Sequence, residues 1–308
     1  MKICDQHLGI AYSDDVINRL RRLKHIALDM DGTIYNGATL FPFTVHFLER
    51  MKQLGIGYSF LTNNPTKGAS DYVAHLAKMG VKACDEEFYT SSQATIDFLK
   101  LHHPECKRLF MVGTPSMIGE FEASGFVSVA DDPNDEPDAV LVAFDTTLTY
   151  SRLCRAAWWI SQGKYYVATN PDRVCPTDKP TVLVDCGSVC CCLEHATGRR
   201  PDIVVGKPDP RMMNCICEKY GLEADEVAMA GDRIYTDILM AQRAGALSIL
   251  VLSGETQMDV VDATEKKPDM VLDDLSVFLN ILEQVRQESK EQKNFRIYEN
   301  RQQCICTA

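Results

Sequence analysis

The chain is expected to be an α/β protein: a doubly wound, Rossmann-like parallel sheet carrying a second α/β unit inserted within it. Three observations predict this. Short apolar runs end abruptly in polar, Gly- or Asp-rich turns, as in Ile26–Met30 into Asp31-Gly-Thr33 and Ile56–Leu61 into Thr62-Asn-Asn64. Amphipathic segments of helical period separate those runs, which is how buried parallel strands and their crossovers read. Residues 104–201 then repeat the alternation with strands of their own, enough for a separate unit.

Taken in order, Ile26–Met30 is the first core strand. Thr44–Gln53 is a helix, with Val45, Phe47, Leu48 and Met51 on its apolar positions and Gly55 as its stop. Ile56–Leu61 is the second core strand. Within the insert, Leu109–Val112, Ala139–Ala143 and Tyr165–Ala168 are strands, and the acidic, Pro-containing stretch Asp131–Asp138 is a surface loop. Ile203–Val205 and Val227–Ala230 return to the core sheet, followed by a helix over Thr236–Ala244 stopped by Gly245. Ser248–Leu252 with a Ser253-Gly254 turn, Met270–Leu272 and a closing helix over Leu275–Gln287 complete the fold. Residues 290–308 carry little periodicity and are expected as a frayed tail. The division expected is thus 1–103 with 202–308 as one discontinuous unit and 104–201 as the insert.

Composition narrows the function. The 308 residues hold 32 Lys plus Arg against 43 Asp plus Glu, a formal charge of −11. That balance opposes a nucleic-acid polymer or an anionic membrane surface as partner. The N-terminal 25 residues show no signal-peptide pattern and no apolar run reaches 18 residues, so a cytoplasmic location is expected. Thirteen cysteines, an odd number without paired CxxC motifs, fit reduced thiols better than a disulfide framework or zinc ribbon. Cys190-Cys-Cys192 looks like a metal lure, but three consecutive helical residues fan over about 200° and cannot converge on one tetrahedral ion. They are expected as small buried apolar residues, and Cys304 and Cys306 receive no function.

The polar residues at the strand ends carry the chemistry, because ligands of open α/β sheets bind there. Asp29 and Asp31 are two carboxylates two residues apart after the first strand. Charges so close need a cation or a proton between them, and Mg²⁺ with oxygen ligands is the natural partner. On its own Asp-x-Asp-Gly is a common turn. Here it is followed in order by Thr62, Lys207 and Gly231-Asp232 with Asp237 five residues on; 33 residues separate Asp29 from Thr62, and 145 separate Thr62 from Lys207.

That set resembles the haloacid dehalogenase superfamily, over most of residues 22–285. Leu61-Thr-Asn-Asn-Pro65, Phe88-Tyr-Thr-Ser91, Ala168-Thr-Asn-Pro-Asp172, Gly206-Lys-Pro208 and Gly231-Asp-Arg-Ile-Tyr-Thr-Asp-Ile238 resemble its NagD-like, 4-nitrophenylphosphatase-like branch. The resemblance implies a phosphatase, since Asp31 stands where dehalogenases lack an acid, and a large α/β cap inserted after the second motif. It implies Asp29 as nucleophile, Asp31 as general acid and base, and Mg²⁺ held by Asp29, the Asp31 carbonyl and Asp232, with Asp237 orienting that shell. Thr62, Asn63, Asn64 and Lys207 would grip phosphate. Asn170, Asp172 and Arg173 would present the cap's substrate loop, while Arg233 either pairs with a cap carboxylate or is solvated. The expected partner is a small phosphorylated metabolite, with self-association through the cap left open. A phosphotransferase or mutase, and a non-catalytic binding protein of the same fold, are the alternatives.

Overall fold

The computed structural model describes residues 4–5, 10–175, 177 and 180–289, so the expected tail over 290–308 lies outside the described residues. Eleven strands build its two large sheets. In chain order they are β1 (His25–Leu28), β2 (Gly57–Thr62), β3 (Phe88–Thr90), β4 (Arg108–Val112), β5 (Val127–Ser128) and β6 (Ala139–Val142). Then come β7 (Tyr165–Ala168), β8 (Ile203–Val204), β9 (Val227–Gly231), β10 (Leu247–Val251) and β11 (Met270–Leu272).

The first sheet has the order β11-β10-β9-β1-β2-β3 and the second β8-β7-β6-β4-β5, and every pairing in both is parallel. Strand β1 lies between β9 and β2, with all four of its residues buried. A central parallel strand is covered on both faces, so an uninterrupted apolar run is what such a position selects.

One apolar cluster is shared by the two sheets. It contains Ala27 and Leu61 of the first, Leu109, Leu141 and Val167 of the second, and Ala94, Leu99, Met212 and Met213 of the helices Ser91–His102 and Arg211–Tyr220. These helices are the chain's passages between the sheets, and their shared burial fixes where the strand ends meet.

The helix Thr44–Gln53 forms as expected, burying Phe47, Leu48 and Met51. The segment read as one helix over Thr236–Ala244 is instead a π turn, Ile234–Ile238, running into an α-helix, Leu239–Ala244. Gly245 ends it at φ +75°, a left-handed conformation open to glycine. The closing helix spans 275–289.

One strand sits elsewhere than expected. Ile203–Val204 pairs with β7 in the second sheet rather than joining the first. Val205 and Gly206 continue that ladder, donating to the Ala168 and Thr169 carbonyls at 3.1 and 2.8 Å. The two-residue strand ends against Thr169, and the next residue, Lys207, is thereby delivered from the second sheet to the strand ends of the first. No helix among the described residues is long and apolar enough to cross a membrane.

Candidate active site

Asp29 leaves β1 with its N–H donating to Ala230 on β9 at 2.9 Å, so the ladder holds its backbone at the sheet's carboxyl edge. The following turn folds back through bonds from Ile34 to Met30 and from Gly32 to Tyr35, at 3.0 and 2.7 Å. Gly32 has φ +85°, and a Cβ there would lie 2.4 Å from Asp232 Oδ2. Gly254 approaches the same oxygen, where a Cβ would stand 2.0 Å away. Two glycines therefore clear the space that the Asp232 carboxylate occupies. Asp232 follows β9; its Oδ2 accepts the Glu255 N–H at 2.7 Å, while its buried Oδ1 has no hydrogen-bond partner among the described residues.

Lys207 occupies the centre of this edge. Its Nζ bonds Asp29 Oδ1 and stands 2.7 Å from Asp237 Oδ1, with side-chain exposure of 4%. Burial alone would drive its proton off, but Asp237 and Asp29 outweigh burial and hold the ammonium above its usual range. Asn63 clamps the lysine from behind. It accepts the Lys207 N–H at 2.8 Å through Oδ1 and donates through Nδ2 to the Lys207 carbonyl at 3.0 Å.

The acids respond to one another. Burial, then the charges of Asp29 and Asp237, push Asp232 up to about 8. Burial, partly offset by Lys207, pushes Asp237 to about 6. Asp31 is also raised, chiefly by burial, although the Gly37 N–H donates to its Oδ1 at 3.3 Å. A carboxyl held upward in this way keeps its proton to a higher pH than a free one does.

The residues also fit a hard divalent cation. Carboxylate oxygens of Asp29, Asp232 and Asp237 all lie within 4.8 Å of one another, and Asp232 Oδ1 is a buried acceptor left without a donor. Oxygen donors crowded to mutual repulsion are what Mg²⁺ relieves. Asp237, already paired with Lys207 and accepting the Arg233 N–H at 3.2 Å, holds the lysine.

A cavity of about 400 Å³ opens over this floor, lined by Asp29, Asp31, Thr62, Asn63, Asn64 and Lys207 from below and by Phe144, Asp172, Cys175 and Asp185 from the second unit. Of the loop expected to meet substrate, Asp172 lines the cavity, while Arg173 is exposed and lies off its wall. Asn170 acts behind: it donates to the Asn63 carbonyl at 2.9 Å and accepts the Asp172 N–H at 3.0 Å. Asp172 in turn accepts from Asn63 Nδ2 at 3.2 Å and faces Arg233 Nη1 at 3.7 Å. Arg233 therefore pairs with a carboxylate of the insert, and also with Glu255 at 2.8 Å.

Two expectations for side chains change. The Asn63 carboxamide is spent on Lys207 and Asp172, and its carbonyl accepts from Asn170 and Ser91. Asn64 Oδ1 accepts the Thr66 N–H and hydroxyl at 3.0 and 2.6 Å, so it shapes its own turn. Thr62 Oγ1 accepts the Asn64 N–H at 3.1 Å and lines the cavity. Asp185 was missed altogether; it is buried, lifted to about 7 by that burial, and reaches the wall from the N-cap of the helix Cys186–Thr197. Nothing in its local sequence separates it from any helix-capping aspartate. The cysteine run on that helix, expected buried throughout, is buried only at Cys190; Cys191 and Cys192 are exposed, because consecutive helical residues fan around the axis.

A haloacid dehalogenase-like hydrolase model matches residues 26–127, and a HAD-hydrolase-like model matches 204–278. Ribonucleotide monophosphatase NagD of Escherichia coli is 32% identical over 249 residues, 81% of this chain and 95% of that protein. The chain belongs to the NagD-like haloacid dehalogenase-type hydrolases. Among solved structures, a 4-nitrophenylphosphatase from Thermotoga maritima has a TM-score of 0.80 at 40% identity, covering 85% of this chain and 98% of that one. A glycerol phosphate phosphatase from Mycobacterium tuberculosis, in complex with magnesium, has a TM-score of 0.77 at 30% identity, covering 86% and 77%. With relatives of this kind over most of its length, this NagD-like chain is a phosphoric monoester hydrolase.

Proposed function

We propose that the protein is a Mg²⁺-dependent phosphatase of small phosphomonoesters, working through an aspartyl-phosphate intermediate. The observation that carries this is Lys207, buried between Asp29 and Asp237 beside the unpartnered Asp232 oxygen, with Asp31 at the same edge.

In this reading Asp29 bonds to phosphorus as the ester bond breaks, and Asp31 passes its proton to the departing oxygen. Asp31 then takes a proton from water as that water's oxygen bonds to phosphorus and the Asp29–phosphorus bond breaks, releasing phosphate. Lys207 offsets the Asp29 charge that would otherwise repel the dianion, and the Thr62 hydroxyl with the Asn63 main-chain N–H donates to phosphate oxygens. Asp29, Asp232 and the Asp31 carbonyl would hold Mg²⁺, with Asp237 positioning Lys207 beside them. The ion would supply charge neutralisation on the transferring phosphoryl group.

The division of labour belongs to the same proposal. Residues 1–103 and 202–308 perform the chemistry and 104–201 select the leaving group, with Ile203–Val204 serving the second sheet and Lys207 the first. Asp172, Asp185 and Phe144 face the space above the phosphate and are the selecting side chains, with substrate a small phosphorylated metabolite. The net charge of −11 is compatible with such a ligand because the site carries Lys207, Arg233 and the cation. A phosphate-release screen over nucleotides, sugar phosphates, phosphoglycolate and pyridoxal phosphate tests the reading. Turnover requires Mg²⁺ and vanishes with EDTA or in Asp29→Asn; activity persisting in either overturns it.

A further inference from the structure

Away from the cavity, the chain crosses between the two sheets through the loop that joins the helix Ser91–His102 to β4. That loop holds His103, Glu105 and Cys106, and a ring nitrogen, a carboxylate oxygen and the sulfur of these three lie within 4.8 Å of one another. We propose that they form a second cation site, which takes a borderline transition ion of the Zn²⁺ or Co²⁺ class in preference to Mg²⁺.

The donor set decides the metal. Thiolate and imidazole suit Zn²⁺ and Co²⁺, whereas Mg²⁺ requires oxygen ligands and holds its water tightly. This set is therefore chemically distinct from the all-oxygen set of Asp29, Asp232 and the Asp31 carbonyl.

The geometry is largely set by the backbone. The Cys106 N–H donates to the His103 carbonyl at 2.9 Å, which closes the turn that brings the first and last donors together. The His103 N–H donates to Leu99 at 2.9 Å, so the histidine caps the helix C-terminus, where the dipole favours positive charge. Its ring packs against Tyr165 at a centroid distance of 4.3 Å and against Phe98 at 5.6 Å. A ring already held loses less freedom on ligation.

His103 Nδ1 and Glu105 Oε1 are 3.1 Å apart, close to the roughly 3.4 Å edge of a tetrahedron whose arms have zinc–nitrogen and zinc–oxygen lengths. Cys106 is 5% exposed, while Glu105 lies at the surface. The sulfur thus approaches from the protein side and the carboxylate from the solvent side, leaving water for the fourth position. Beyond the sulfur, Asp138 accepts the Lys107 and Arg108 N–H groups, both at 2.8 Å, and pins the first residues of β4. Binding replaces the Cys106 thiol proton, which passes to solvent, so affinity rises with pH.

Co²⁺ is the probe, titrated into the full chain under reducing conditions with Mg²⁺ in large excess. The expected result is one equivalent bound, with a thiolate-to-cobalt charge-transfer band and the visible bands of tetrahedral Co²⁺. Cys106→Ser abolishes the thiolate band. His103→Asn, at a ring that is partly exposed, weakens binding by at least about tenfold. Neither variant alters Mg²⁺-dependent phosphatase turnover, and Asp29→Asn retains the band. No thiolate band in the parent protein, a band that survives Cys106→Ser, or unchanged affinity in His103→Asn would each overturn the assignment.

Discussion

Replacing Lys207 by methionine keeps the aliphatic stem and removes the one ammonium set among Asp29, Asp237 and Asp232. The side chain is 4% exposed and paired with two carboxylates, so the loss strands buried negative charge. Breaking a buried pair from one side costs about 3–5 kcal/mol. Asp237 limits the damage: burial has already pushed it to about 6, and it takes a proton rather than remain charged without a partner. The lower end, about 3 kcal/mol, is therefore expected, which is roughly 5 °C in melting temperature for a chain of this length. A cation at the same carboxylates replaces part of the missing charge, so the deficit is larger in EDTA than in Mg²⁺. Loss of the phosphate clamp lowers turnover of 4-nitrophenyl phosphate by about 10³, or about 4 kcal/mol of barrier. Paired melts with EDTA and with Mg²⁺, read beside initial rates, make the measurement. A melting point in EDTA within about 2 °C of the parent, or turnover within tenfold, refutes the role given to Lys207.

Gly254→Ala places a Cβ 2.0 Å from Asp232 Oδ2, and the variant is expected to lose Mg²⁺ affinity and at least about tenfold in turnover; calorimetric Mg²⁺ titration checks it. Asp172→Ala frees Arg233 and one side of Asn63, and is expected to change the ranking of substrates more than the rate on 4-nitrophenyl phosphate, as kcat/KM across the screen will show. His25, buried against Tyr220 and 2.9 Å from Ser59 Oγ, is lowered to about 4 by burial and by Lys219. Its folded-state value lies below the unfolded one, so the unfolded chain binds the proton first and stability falls as pH drops from about 6.5 toward 4. About 2.5 kcal/mol is lost between pH 7 and pH 4.5 on this account. Urea midpoints for His25→Gln should show a flatter acid limb by that amount; parallel limbs would contradict it.

Much of this was legible because it depends on local pattern. The apolar run before Asp29 announces a buried strand, and Thr44–Gln53 announces its helix through Phe47, Leu48, Met51 and the Gly55 stop, matching the observed bounds. Motif order along the chain singles out Asp29, Lys207 and Asp232, and the fold brings the three to one sheet edge. What escaped depends on pairing between distant segments. Ile203–Val204 has the same apolar character in either sheet, and only its bonds toward Ala168 and Thr169 decide its place. Asp172 and Arg173 are neighbours in a loop whose turn sends one inward and the other out; Asn170 holds that turn locally, but the bond that draws Asp172 inward comes from Asn63, over a hundred positions away. The cradle of Gly32 and Gly254 around Asp232 is likewise a contact between remote turns, as is the partner of Arg233.

In the proposed mechanism Asp29 carries phosphate between two half-reactions that Asp31 assists. 4-Nitrophenolate leaves without needing a proton, so Asp31→Asn should pass through the first half-reaction and stall in the second. Rapid mixing of that variant with 4-nitrophenyl phosphate and Mg²⁺, followed by acid quench and peptide mass analysis, is the direct measurement. A burst of nitrophenolate near one equivalent of enzyme, with the phosphate mass on the peptide containing Asp29, is the predicted result. No burst, or phosphate found on any other residue, would contradict it.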